Sequence, residues 1–218
     1  MNYIDTALRA PFALASPLRQ VRVFHAHGAV TQGHAELGSH WWPVQGRIPV
    51  TARLSRGLGL PSALPDVLGL AVRLHFAAGP WDLLLVTAPS VTRMALWPAR
   101  GWSSARYSSL TAFRTTENGA LTWVLAKPDA GQPRTGSLTA LSDCDPLDFT
   151  LSLATARSDA TPAGRLSLGP PTENDDNQPA FDPVLNHPDQ VVTWPQWLAS
   201  ARRAAYGGSR AGRHAAPA

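Results

Sequence analysis

Two histidines and an arginine stand in the stretch VRVFHAHGAV, residues 21–30, whose other residues suit a half-buried β-strand. His25 and His27 are two residues apart, so on a strand both would point to the same face. Imidazoles paired in this way could supply two ligands of a metal site. No third ligand stands out elsewhere in the chain. On spacing alone, a pair of structural histidines is the better interpretation.

Two further pairs combine a guanidinium with a hydroxyl. Arg53 and Ser55 would share a strand face, where the serine hydroxyl could hydrogen-bond a ring nitrogen of a neighbouring histidine. Arg202 and Tyr206 stand at the i, i+4 spacing of a helix, and a guanidinium beside a phenol lowers the pKa of that phenol. A phenolate is a known ligand of haem iron. Ordinary surface arginines would give the same spacings, so the spacings alone do not decide.

The elements that would position these groups are mostly strands. Prolines and glycines interrupt the chain about every ten residues, and the intervals are rich in valine, leucine and threonine. This rhythm predicts many short strands, and therefore a barrel or a sandwich. The expected strands are 21–30, 48–55, 69–77, 81–87, 120–126, 136–142, 148–156 and 164–168. Residues 89–118 are ambiguous between short helices and loops.

The C-terminal part has a different character. Residues 169–192 are polar and proline-rich, which indicates a long connecting loop. Thr193 and Gln196 fit a capping box, so we expect a helix over 193–206, followed by a basic tail over 207–218. The chain is therefore expected to form a single domain over 1–218, with the barrel at about 20–168.

Composition narrows the class of protein. Apolar residues make up 44% of the chain and charged residues only 16%, which is typical of a folded domain. The net charge of +4 comes from arginine, and the basic residues are not interleaved with a run of aromatics as in a nucleic-acid binder. A single cysteine, Cys144, excludes an internal disulfide and a thiolate metal cluster. No apolar run would span a membrane and no signal peptide is evident, so we expect a cytoplasmic protein.

Several segments, taken in order, resemble the haem catalases. RVFHAHGA (22–29) is similar to the stretch around the catalase distal histidine, and RIPVTARLS (47–55) to a segment that carries an arginine and a serine. LPDVLGLAVRLHFAAGPWDLLLVTAP (64–89) resembles the catalase segment that contains Asn-Trp-Asp-Leu. QPAFDP (178–183) and RRAAYGGSRAGR (202–213) are similar to the approach to the proximal helix and to the proximal motif.

The resemblance implies a fold and a set of roles. The fold is mainly β within an α+β class: an antiparallel eight-stranded barrel with a C-terminal helix that carries the proximal tyrosine. His25 falls on the distal histidine that moves protons on the peroxide, and Ser55 on the serine that hydrogen-bonds it. Tyr206 falls on the tyrosinate that binds the iron of haem b, and Arg202 on the arginine that keeps it ionised. The arginines that fall on partners of the haem propionates are Arg22, Arg53 and Arg213.

The distal side departs from the family pattern. Thr87 falls where catalases carry the distal asparagine, and threonine lacks the amide donor. The resemblance therefore implies a haem-dependent peroxidase that acts on hydrogen peroxide or on organic and lipid hydroperoxides with a small reducing co-substrate. Its catalase activity would be weak, and it could form a homodimer. A haem carrier or sensor without turnover, and a haem-free barrel that binds another apolar ligand, are the alternatives.

Overall fold

The computed structural model describes residues 27–115, 119–171, 179–183 and 185–195. Ten β-strands and two short 3₁₀ helices lie in these ranges. The strands are β1 (His27–Leu37), β2 (Gly46–Arg56), β3 (Leu68–Phe76), β4 (Gly79–Thr87), β5 (Tyr107–Ser108), β6 (Ala112–Thr115), β7 (Thr122–Pro128), β8 (Leu147–Thr155), β9 (Thr161–Leu168) and β10 (Val191–Trp194). The 3₁₀ helices are Trp102–Ser104 and Thr139–Leu141. No helix in the described ranges is both long and apolar enough to cross a membrane.

The strands close into an antiparallel barrel. Its order is β7-β5-β4-β3-β2-β1-β9-β8, and the pairing of β8 with β7 completes the circle of eight. Strands β6 and β10 extend the sheet outward from β7. Closure leaves no exposed edge among the eight barrel strands, which is the usual advantage of a barrel over an open sheet.

Alternation along the strands explains which residues fill the barrel. In β2, Ile48, Val50, Ala52 and Leu54 are buried in the core, whereas the residues between them face outward. The interior is packed with large side chains and is not an open channel. The largest fully buried ones include Trp81, Tyr107, Phe149, Leu54, Leu70, Leu83 and Leu85.

The sequence predicted most barrel strands, with displaced ends. The strand predicted at 21–30 begins at 27 among the described residues and continues to Leu37. Gly33 lies inside this strand because a Cβ there would collide with the Ser167 carbonyl of β9. The ambiguous stretch 89–118 contains the short strands β5 and β6 as well as the first 3₁₀ helix.

Two sequence-based expectations are wrong. The strand expected at 136–142 is replaced by the second 3₁₀ helix, where the N–H of the fully buried Leu141 donates to the carbonyl of Leu138, the residue that precedes the helix, at 3.1 Å. The predicted helix start at Thr193 is also wrong, because Thr193 pairs with Phe113 in the β10–β6 ladder. The loop expected over 169–192 therefore ends before Val191. Residues 196–218, with the rest of the expected helix and the basic tail, lie outside the described residues.

Candidate functional site

The outer surface of strands β1 to β4 carries a row of small residues around Ser55. The strand register sets Gly28, Ser55, Gly69 and Val86 side by side, and we call this set the serine row. Ser55 is only 4% exposed although it faces away from the barrel interior, and Gly69 is buried as well. Because Gly28 and Gly69 lie on either side of Ser55, neither of these neighbours places a side chain of its own beside the hydroxyl.

A second row lies next to the serine row on the same surface. It consists of Val30, Arg53, Ala71 and Leu84, all of them half-buried. The Arg53 guanidinium crosses toward β1, since a Cβ built on Gly28 would lie 2.6–2.8 Å from its atoms. Glycine at position 28 is therefore what lets this cation lie over the strand. Arg53 and Ser55 do share a face, as their spacing predicted.

A buried ion pair holds a later part of the chain against this surface. Asp82 on β4 is fully buried, and its carboxylate accepts two hydrogen bonds of 2.7 Å from the Arg73 guanidinium on β3. The same carboxylate accepts hydrogen bonds from the Asp182 backbone N–H at 2.6 Å and from the Asn186 amide at 2.8 Å. The hydrogen bond with Asp82 raises the pKa of Arg73 above its ordinary value.

Arg73 also binds the segment directly. Its guanidinium donates to the Ala180 carbonyl at 2.7 Å and lies 5.3 Å from the centroid of the Phe181 ring. The Asp82 N–H donates to the Asn186 carbonyl at 2.9 Å. Residues 179–183 and 185–187, which include most of the QPAFDP motif, are thus fixed to the outer surface beside the second row. The sequence analysis singled out this motif without predicting a partner for it, and it did not single out Asp82.

The predicted site residue Thr87 lies on a different face from Ser55. It is 1% exposed, and its hydroxyl accepts the Leu68 N–H at 3.1 Å. By alternation along β4, Thr87 points inward with Leu85, whereas Val86 points outward with the serine row. The β4 residue that neighbours Ser55 across Gly69 is therefore apolar. The role predicted for Thr87 stays a prediction.

The other predicted site residues lie outside the described part of the chain. They are His25, Arg22, Arg202, Tyr206 and Arg213. Within the described ranges, no group of three or more His, Cys, Asp or Glu residues is arranged to hold a metal ion. The serine row and the second row offer the sheltered Ser55 hydroxyl and the Arg53 guanidinium, beside glycine, alanine and aliphatic side chains.

Comparison with solved structures identifies proteins whose fold is similar to that of this chain. No family model matches the sequence, and no curated protein matches it. Among solved structures, catalase A from Saccharomyces cerevisiae is similar with a TM-score of 0.61 and 13% identity, over 93% of this chain and 63% of the yeast chain. A fungal catalase is similar with a TM-score of 0.59 and 14% identity, over 93% of this chain and 61% of the other.

The chain therefore has a catalase-like fold, and the closed eight-stranded antiparallel barrel agrees with the resemblance found in the sequence motifs. It spans less than two thirds of the length of either catalase. At these identities the similarity establishes architecture and leaves activity to be argued from the site.

Proposed function

We propose that the chain is a haem-dependent peroxidase that reduces organic hydroperoxides, and hydrogen peroxide less well. The observation that carries the proposal is the serine row: a sheltered hydroxyl between two glycines, on the outer surface of a catalase-like barrel, with Arg53 beside it. A haem carrier or sensor would need the same surface but not the hydroxyl.

The described residues fit haem b as a flat anionic ligand. A flat macrocycle needs a surface without protruding side chains, and Gly69 and Ala71 provide one on β3, next to the Arg53 guanidinium that lies over Gly28. Adjacent strands are about 4.8 Å apart, so the four strands of the serine row span about 14 Å. Val86 and Leu84 give this surface an apolar border on β4. The residue expected to bind the iron, Tyr206, lies outside the described residues.

The polar groups of haem also have candidate partners. Arg53 would hold one propionate, because a planar guanidinium binds a carboxylate through two parallel hydrogen bonds. Arg22 and Arg213 would join it, Tyr206 would ligate the iron, and Arg202 would hold the Tyr206 phenol in its ionised form. These four roles rest on the sequence resemblance alone.

Haem, when bound, would supply the oxidising chemistry of peroxide cleavage. His25 would take the proton of the hydroperoxide and return it to the departing oxygen, so that water or an alcohol leaves as a neutral product. The Ser55 hydroxyl would hydrogen-bond one ring nitrogen of His25 and so fix which nitrogen carries the proton. A small reducing co-substrate would then complete the turnover.

Val86 explains why the proposed activity is peroxidase rather than catalase. Disproportionation needs a second hydrogen peroxide held beside the first, and catalases use an amide donor on the distal side. Val86 occupies the serine row with an apolar side chain, and the Thr87 hydroxyl already accepts a backbone N–H. Hydrogen peroxide would therefore be poorly positioned, whereas an alkyl hydroperoxide could place its carbon chain against Val86 and Leu84.

The test is turnover of an alkyl hydroperoxide with a reducing dye, measured on the haem-loaded protein. His25→Ala should lower kcat/KM by about 100-fold or more. Ser55→Ala should lower it by about tenfold or more, as for other groups that orient a reacting side chain. Thr51→Ala is the matched control, since Thr51 lies on the same surface of β2 and its hydroxyl bonds to His75.

Each failure has a distinct meaning. If His25→Ala retains wild-type turnover with haem bound, the peroxidase assignment is wrong and the carrier remains. If oxygen release from hydrogen peroxide exceeds dye oxidation, the preference attributed to Val86 is wrong. If the wild-type protein takes up no haem at all, the haem-free barrel is the better reading.

A further inference from the structure

Two long loops meet at one end of the barrel. Residues 57–67 connect β2 to β3, and residues 88–106 connect β4 to β5; we call them the paired loops. They are joined by two backbone hydrogen bonds, from the Asp66 N–H to the Ala99 carbonyl at 3.0 Å and from the Ala99 N–H to the Asp66 carbonyl at 2.9 Å. The Trp97 N–H also donates to the Thr87 carbonyl at 2.9 Å, which ties the second loop to the end of β4.

The paired loops expose most of the large apolar side chains on the described surface. Eight such side chains are exposed there, and the five on the paired loops are Leu58 (51%), Leu64 (50%), Val91 (90%), Leu96 (54%) and Trp97 (60%). Scattered apolar residues on a surface are ordinary, but a concentration of them at one end marks an interaction site. At 90% exposure, Val91 protrudes from its loop and does not line a groove.

The second of the paired loops carries exposed arginines, and neither of the paired loops carries an exposed acid. Arg100 and Arg106 are exposed, and Arg93 is half-buried. Residues 83–116 contain no aspartate or glutamate. Asp66, the acid of the paired loops, is 1% exposed and is engaged by Arg56 at 3.4 Å and by the Leu58 N–H at 2.8 Å.

We propose that the paired loops dock the protein onto the surface of a bilayer that contains anionic phospholipids. Trp97, Leu96 and Val91 would enter the boundary between headgroups and acyl chains, where tryptophan is favoured. Arg100 and Arg106 would bind the lipid phosphates.

A fluid bilayer fits this surface better than other partners. Val91 is 90% exposed and stands out from its loop, and fluid lipid adapts to a protruding side chain, whereas a folded protein must supply a matching cavity. A single-stranded nucleic acid would need several aromatic side chains as stacking platforms. Trp97 is the exposed aromatic side chain among the five apolar residues of the described loops.

The location of the paired loops connects docking to the candidate site. Ser55 is one residue from the end of β2 and Val86 one residue from the end of β4, so the serine row lies directly beneath these loops. Docking would bring the serine row close to the bilayer surface, and oxidised membrane phospholipid would become the hydroperoxide substrate. That choice of substrate rests on the proposed function, whereas docking does not require haem.

Flotation of the purified full chain with lipid vesicles tests the docking. The wild-type protein should float with vesicles of phosphatidylcholine and phosphatidylserine at low salt, and much less with phosphatidylcholine alone. Trp97→Ser should lower the partition coefficient by about tenfold. The double variant Arg100→Ser, Arg106→Ser should lower it by about 25-fold, because each arginine near an anionic surface contributes about fivefold.

Val44→Ser and Arg47→Ser are the matched controls. Both residues are exposed at the opposite end of the barrel, around the β1–β2 connection, and their replacement should leave flotation unchanged. Near-ultraviolet circular dichroism identifies any variant that has lost its fold. If Trp97→Ser is unfolded, the Arg100→Ser, Arg106→Ser double variant alone tests the proposal.

Three results would overturn the docking proposal. The first is wild-type protein that stays with the buffer when anionic vesicles float. The second is equal flotation of the loop variants and the wild type, which would assign binding to another surface. The third is a concentration-dependent dimer that Trp97→Ser abolishes while no flotation occurs, which would assign the surface to a second copy of this chain. Failure of haem uptake would leave the docking result unaffected.

Discussion

Replacement of Asp82 by asparagine should release residues 179–183 and 185–187 from the barrel at a large cost in stability. The Asp82 carboxylate is fully buried and accepts hydrogen bonds from Arg73, Asp182 and Asn186. Asparagine has nearly the same volume, but its NH₂ group would face one of these donors and its neutral oxygen would leave the Arg73 charge uncompensated.

The size of the effect follows from burial. Breaking a buried pair by removing one partner costs about 3–5 kcal/mol, because the remaining charge stays desolvated. At an m value of about 2 kcal/mol per molar urea, a loss of about 4 kcal/mol lowers the unfolding midpoint by about 2 M. Asp129→Asn is the control, since its pair with Arg165 is 27% and 54% exposed and such surface pairs contribute about 0–1 kcal/mol.

The assay is equilibrium unfolding in urea at neutral pH, with amide hydrogen exchange at Asp182 as a local probe. We expect the Asp182 amide, which donates to Asp82 at 2.6 Å, to lose protection in Asp82→Asn. If Asp82→Asn lowers stability no more than Asp129→Asn does, the Arg73–Asp82 pair does not anchor the segment and this reasoning is refuted.

Three further substitutions follow from individual positions. Tyr107→Phe should raise the free energy of unfolding by about 1 kcal/mol, because the buried Tyr107 hydroxyl has no partner in the described structure. Burial raises the pKa of Tyr107, so the wild type should lose stability as pH rises past about 10, where unfolded tyrosine ionises, and the variant should lose less; parallel pH profiles would contradict this. Gly28→Ala should displace Arg53 and weaken haem binding about tenfold with little change in unfolding, and an unchanged haem Kd would exclude Arg53 as a propionate partner. Val86→Asn should raise oxygen release from hydrogen peroxide about tenfold, whereas Thr87→Asn should not. The reverse order would show that residue 87, and not residue 86, lies beside the peroxide.

Patterns with a strong physical period were predictable from the sequence. The alternation in 48–55 predicted β2 and the shared face of Arg53 and Ser55, because side chains on a strand repeat every two residues. β5 and β6 could not be found in this way, since strands of two and four residues carry little pattern and depend on their neighbours. Thr193 shows the same limit: its capping pattern is local, and pairing with β6 overrides it.

Register is the part of the candidate site that the sequence could not supply. A shift of one residue exchanges the two faces of a strand, so no pattern within β4 reveals whether Val86 or Thr87 neighbours Ser55. The pairs Ser55–Gly69 and Gly69–Val86 decide it. The Arg73–Asp82 pair also depends on the register of β3 against β4, and the link from Asp82 to Asn186 joins residues that are 104 apart in sequence.

Titration of the purified protein with haem, followed by absorption, tests the central claim most directly. We predict a Soret band that saturates at one haem per chain, with the high-spin ferric spectrum of a tyrosinate ligand, and loss or a marked shift of that band in Tyr206→Phe. A wild-type protein that gives no saturable Soret band, or a Tyr206→Phe spectrum identical to that of the wild type, would contradict the account.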